Sequence, residues 1–204
     1  MPNWLWDFEA RPISEDDKDN LKSYERISKR GFKGSLYKTD EFINQHPFGT
    51  VPAGFVGDEH LGVFESNSIL RAVARECKDK TLYGGEDINL KSRIDSYLDA
   101  NLVFSREFQV YLLELEDITK YTYERTKSAY QFYMDGLENS LSKNNFLAGD
   151  SLSIADISFV CEFAQFLREG HYLNQLKSKN LSLISENFQT DYPLTFKHLS
   201  LIHI

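Results

Sequence analysis

Hydrophobic positions along this chain change rhythm several times, and each change predicts an element. Ala53-Gly54-Phe55-Val56 and Leu61-Gly62-Val63-Phe64 flank Gly57-Asp58-Glu59-His60, the pattern of a two-strand hairpin closed by a four-residue loop. From Asn67 the spacing becomes helical: Ile69, Leu70, Val73, Ala74 and Cys77 share a face, which puts Ser66 at the N-cap. Further on, Ile94, Leu98, Leu102, Phe108, Tyr111, Leu112 and Leu115 predict a long helix over 89–115, and a second follows over 118–141. The stretch 154–167 is apolar almost all round and predicts the buried central helix of an all-α domain. Phe196, Leu199 and Ile202 predict a last docking helix within 194–204. The Gly84-Gly85 break lies between these helical patterns. It sets a first domain at 1–78, a linker at 79–88 and an all-α domain at 89–204.

The first forty residues give weaker signals. Trp4 to Phe8 reads as a strand and Arg11-Pro12 as the turn after it. Residues 14–30 have an acidic helix start but offer only Leu21, Tyr24 and Ile27 for burial, a stripe too thin to cover a sheet well. No β-branched run lies between Gly31 and Asp40, so no second strand is expected there.

Local chemistry concentrates around the hairpin. Pro47-Phe48-Gly49 forms a sharp turn into Val51-Pro52, where proline lacks an N–H and can take the cis form, turning the backbone of Val51 outward. The helix starting near Ser66 presents unpaired N–H groups suited to an anion. Together these features predict a pocket for a small carboxylate. Far downstream, Ser153 and Asp156 have the spacing of a capping box, with Leu152 and Ile157 as its staple, a role in stability and not in chemistry. The aromatic-rich stretch with Tyr121, Tyr123, Tyr130, Phe132 and Tyr133 is read as core and interhelix packing.

Composition narrows the function classes. A net charge of -8 and a pI near 5.2 argue against a nucleic-acid surface, which needs clustered Lys and Arg. The start Met1-Pro2-Asn3-Trp4 has no apolar core of a signal peptide, and no run approaches the ~20 apolar residues of a membrane span, so a cytoplasmic protein is expected. Cys77 and Cys161 fall on apolar faces and are read as small buried side chains. The histidines are scattered without metal-ligand spacing, so no metal is expected, and His46 beside the Pro47-Phe48-Gly49 turn is read as a loop residue satisfied by solvent, with contact to a ligand as the alternative.

His46 to Ala53 together with Phe64 to Ile69 resembles the glutathione-binding half of the glutathione S-transferase superfamily, and the Gly149-Asp150 to Asp156 block resembles that family's C-terminal domain. The resemblance implies an α+β two-domain fold, a thioredoxin-like N-terminal domain of β-α-β start, here degenerate in sequence, followed by a helical bundle. It also implies glutathione as co-substrate, with Val51 and Pro52 pairing the cysteinyl part, Glu65 and Ser66 holding the γ-glutamyl group, and assembly as a homodimer. Catalysis in that family needs a hydroxyl or thiol that lowers the pKa of the bound thiol. Ser14 is the best-placed hydroxyl after the first expected strand, with Tyr24 and Tyr37 behind it. Val63 to Ile69 and Ala155 to Glu162 are also similar to the glutathione S-transferase-like domain of the translation elongation factor gamma subunit, which implies the alternative: a non-catalytic scaffold with protein partners.

Overall fold

In a computed structural model of the 204-residue chain, the described residues are the strand backbones 8–10, 26–27 and 35–38 and the continuous stretch 40–202. The chain divides into two compact units, Met1–Glu76 and Cys77–Ile204.

In the first unit β1 (Phe8–Ala10), β2 (Arg26–Ile27) and β3 (Ser35–Lys38) form a sheet of order β1-β3-β2. Both neighbours of β3 run antiparallel to it, with Phe8 opposite Lys38 and Arg26 opposite Leu36. This corrects three expectations. A strand does lie between Gly31 and Asp40; Ile27 belongs to a strand and not to the expected helix; and the pairing is antiparallel where a β-α-β start is parallel. Strand formation depends on the partner more than on β-branched content, so Leu36 and Tyr37 suffice once two neighbours are available. The remainder of the expected helix over 14–30 lies outside the described residues.

Next come α1 (Asp40–Gln45) and the hairpin of β4 (Ala53–Val56) and β5 (Leu61–Phe64), whose register pairs Ala53 with Phe64 and Val56 with Leu61. Strand bounds and loop match the sequence pattern because alternation, Gly57 and the turn agree; Gly57 takes φ 73°, which glycine adopts without penalty. Phe42 of α1 buries against Ala53 and Phe55, with Ile43 beside them. Helix α2 (Ser66–Glu76) packs on the same hairpin, burying Asn67 and Ala74.

The second unit is helical. Its first turn, Lys80–Tyr83, is capped by Asp79 and closed by Gly84 at φ 76°, so the segment read as a linker is a capped turn of this unit. Asp87 then caps α3 (Ile88–Glu114), which is followed by α4 (Lys120–Leu141) and α5 (Ile154–Phe166). Helix α3 packs against both, around a core that includes Ile94, Leu98, Phe108, Tyr111, Met134, Phe159 and Phe166. Tyr123, Tyr130 and Tyr133 enter that core as packing residues, while Tyr121 and Phe132 face outward. Helix α5 is buried nearly all round in its first turns only; Cys161, Ala164 and Gln165 reach the surface, so Cys161 is exposed and not buried as its neighbours suggested.

A polar pin crosses this core. Tyr133 Oη donates to Asn101 Oδ1 (2.9 Å), and Asn101 Nδ2 donates to Ser158 Oγ (2.7 Å), joining α4, α3 and α5. The capping box forms as the spacing predicts: Asp156 accepts from Ser153 N–H (2.8 Å) and Ser153 Oγ (2.9 Å), while Ala155 N–H donates to Ser153 Oγ (3.3 Å). Asp156 also accepts from Leu147 N–H and lies 2.9 Å from His198 Nε2 of α8 (Pro193–Ile202). The short helices α6 (Leu173–Ser178) and α7 (Phe188–Asp191) connect α5 to α8, and fully buried Glu169 fixes that connection by accepting from Tyr111 Oη, Ile184 N–H and Ser185 N–H.

Candidate binding site at the open end of the hairpin

The site is assembled by the chain between α1 and α2. Helix α1 closes with His46 N–H donating to Phe42 O (2.8 Å), and Gly49 N–H returns to His46 O (2.9 Å) with Gly49 at φ 57°. Thr50 leads to the Val51–Pro52 peptide, which is cis. The ladder ends at the Ala53–Phe64 pair, with Val51-Pro52 running into Ala53 and Glu65-Ser66 running on from Phe64. The four residues singled out from the sequence therefore share one end of the hairpin.

Glu65 makes the transition from strand to helix in the left-handed region, at φ 68°. Its carbonyl accepts the Ile69 N–H at 3.0 Å, the first intrahelical bond, so Glu65 occupies the N-cap place and Ser66 is the first helical residue. The expected cap at Ser66 is thus displaced by one position, because the sharp turn is made at Glu65. Ser66 keeps its hydroxyl at the exposed helix mouth, Val51 is 48% exposed and Glu65 is half-buried. No acidic side chain stands in the first turn of α2 to neutralise the partial positive charge of its N–H groups. The arrangement can hold an anionic group at the helix start while extended ligand backbone lies along Val51. Ser14 lies outside the described residues.

His46 is the residue that sequence reasoning assigned wrongly. Its side chain is fully buried, and Nε2 lies 3.0 Å from Thr50 N, 2.8 Å from Thr50 O and 3.1 Å from Thr50 Oγ1. The imidazole stacks on Phe64 at 4.5 Å and 5°, and Phe48 meets Phe64 edge-on at 5.3 Å. A histidine three residues before the turn glycine Gly49 looks solvated in one dimension; only the fold brings Phe64 over it.

Residues 105–188 match the family model for the glutathione S-transferase C-terminal domain. Among curated proteins, elongation factor 1-gamma 1 of Oryza sativa subsp. japonica is 29% identical over 178 residues, covering 82% of this chain and 37% of that protein. Elongation factor 1-gamma of Rattus norvegicus is 30% identical over 131 residues, covering 63% of this chain and 29% of its own length. The chain thus spans about a third of the length of these relatives. Among solved structures, the Phanerochaete chrysosporium glutathione transferase URE2P6 in complex with oxidized glutathione aligns with TM-score 0.63 and 18% identity over 80% of this chain and 72% of that one. Glutathione S-transferase-I bound with lactoylglutathione aligns with TM-score 0.61 and 20% identity, over 80% of this chain and 74% of its own. At such identities these structures show the fold: a degenerate thioredoxin-like N-terminal domain followed in the chain by a helical C-terminal one. Family model, fold and relatives agree: residues 105–188 match the glutathione S-transferase C-terminal domain, the chain has the glutathione S-transferase fold, and it resembles elongation factor 1-gamma.

Proposed function

We propose that this chain binds glutathione at the open end of the β4–β5 hairpin and conjugates its thiol to apolar electrophiles. What supports the reading is that Val51-Pro52 precede Ala53 and Glu65-Ser66 follow Phe64, its ladder partner, at the start of α2. Glutathione is complementary to that arrangement. Its γ-glutamyl carboxylate suits the Ser66 hydroxyl and the α2 N–H groups, its ammonium suits the Glu65 carboxylate, and its cysteinyl amide suits the Val51 main chain. The oxidized glutathione and lactoylglutathione held by the two similar transferases support the same ligand class.

In the conjugation step the thiol gives its proton to solvent, the thiolate attacks the electrophilic carbon, and a carbon–sulfur bond forms as the leaving halide of an aryl halide departs. Ser14 is the proposed hydroxyl that donates to the thiolate and lowers the thiol pKa. Calorimetric titration with glutathione, followed by an aryl halide conjugation assay on the parent and on Ser14→Ala, tests both halves. Binding with turnover that falls in the variant supports the enzyme; binding without turnover removes the chemistry and leaves the site.

A second reading is favoured by the elongation factor 1-gamma relatives. In it the fold is a scaffold in a protein complex, the chain meets protein partners or a second copy of itself, and no conjugation occurs. Absence of glutathione-dependent heat together with stable co-purification of another polypeptide would favour that reading.

A further inference from the structure

We propose that His46 is a positioning residue for the glutathione site, holding Thr50 and Phe64 together so that Val51-Pro52 and Glu65-Ser66, which run on from them, stay side by side at the open end of the hairpin; the inference rests on the glutathione reading above. The ring touches the residue immediately before Val51 with its edge and the residue immediately before Glu65 with its face. At the edge, Nε2 is within 3.1 Å of the Thr50 amide nitrogen, carbonyl oxygen and hydroxyl. At the face, the imidazole lies parallel to Phe64, 4.5 Å between centroids and 5° between planes.

The β ladder ends at Ala53–Phe64, so residues before Ala53 lie outside its register. The imidazole holds them one step further out. In one tautomer Nε2 accepts from the Thr50 N–H; in the other it donates to the Thr50 carbonyl; either way the partner is the Thr50 main chain. Helix α1 fixes the ring's origin through the His46 N–H bond to Phe42 O, and Phe42 stands 5.5 Å from the ring in the buried cluster. Thus α1, the loop and the mouth of the hairpin meet on one side chain, next to the residues assigned to the ligand.

Two variants separate the ring's two roles. His46→Phe retains a flat ring over Phe64 but has no nitrogen for Thr50; His46→Gln retains a polar group at the Nε2 distance without the stack. For the whole chain, the thermal transition, Thr50 amide hydrogen exchange without ligand, and glutathione affinity by calorimetry are compared. His46→Phe is expected to keep a cooperative transition, to exchange Thr50 at least about tenfold faster, and to bind glutathione about tenfold more weakly. His46→Gln is expected to recover exchange and affinity to within about threefold of the parent. Parental exchange and affinity in His46→Phe, or a glutamine variant as impaired as the phenylalanine one, overturns the proposal. Should His46→Phe fail to fold, His46→Gln decides alone, and a folded variant with tenfold weaker binding overturns it. If the parent gives no glutathione heat, the ligand reading fails and Thr50 exchange still decides the positioning role.

Discussion

A β-carbon at Gly62 would overlap the Gln45 carbonyl oxygen, an approach that no side chain permits. Here β5 lies against the end of α1, on the same corner where His46 reaches Thr50. Gly62→Ala is expected to force α1 off the hairpin and to destabilise the first unit by about 2 kcal/mol or more, read as a lower denaturant midpoint of that unit's signal. At the helix mouth, Ser66→Ala removes one hydroxyl from the proposed carboxylate contact. It should weaken glutathione binding by about 1–3 kcal/mol with little change in melting temperature, since Ser66 is exposed and is not the N-cap. The turn into Val51-Pro52, the hairpin and the helix start after it were legible because each is a contiguous motif with local geometry of its own. His46, Gly62 and the left-handed turn at Glu65 were not, since each is defined by a contact with a residue distant in sequence or by a backbone angle that the residue type does not announce.

Among the elements, the polar pin through Asn101 ties three helices by buried hydrogen bonds. Burial drives the Tyr133 phenol pKa well above its ordinary value, so the hydroxyl remains a donor and needs the Asn101 oxygen. Asn101→Leu should cost about 2–3 kcal/mol in chemical denaturation, because it leaves that donor buried without an acceptor. A surface pair behaves otherwise. Arg125 of α4 donates through Nε and Nη2 to both oxygens of Glu107 on α3, at 2.5 and 2.6 Å, and the hydrogen bond lowers the Glu107 pKa despite a smaller opposing effect of burial. A depressed carboxyl pKa adds stability above the unfolded value and loses it as pH falls through the folded one. With the Arg125 side chain 56% exposed, solvent screening holds the contribution under about 1 kcal/mol. Glu107→Gln should therefore be slightly less stable than the parent at neutral pH, and the difference should close as pH drops below the ordinary carboxylate range. The helices themselves were readable, since apolar periodicity and caps such as Ser153 act within a few residues. The antiparallel sheet of β1, β3 and β2 was not, because its short strands are selected by pairing partners that no local pattern specifies.

At the scale of the whole molecule, the helical unit carries the family's C-terminal domain while the first unit keeps the hairpin and helix mouth and departs from the parallel β-α-β start. A scaffold needs the first without the second; a binder of glutathione needs the hairpin end intact. Val51-Pro52 and Glu65-Ser66 flank the Ala53–Phe64 pair, and His46 reaches Thr50 beside them, which favours a ligand at that end. The most direct test is isothermal calorimetry of the full chain with reduced glutathione. A saturable, near-stoichiometric heat with a Kd in about the micromolar to low-millimolar range, weakened about tenfold by Ser66→Ala, is the result this account predicts. No heat up to about 10 mM glutathione, from protein that melts cooperatively, would contradict it.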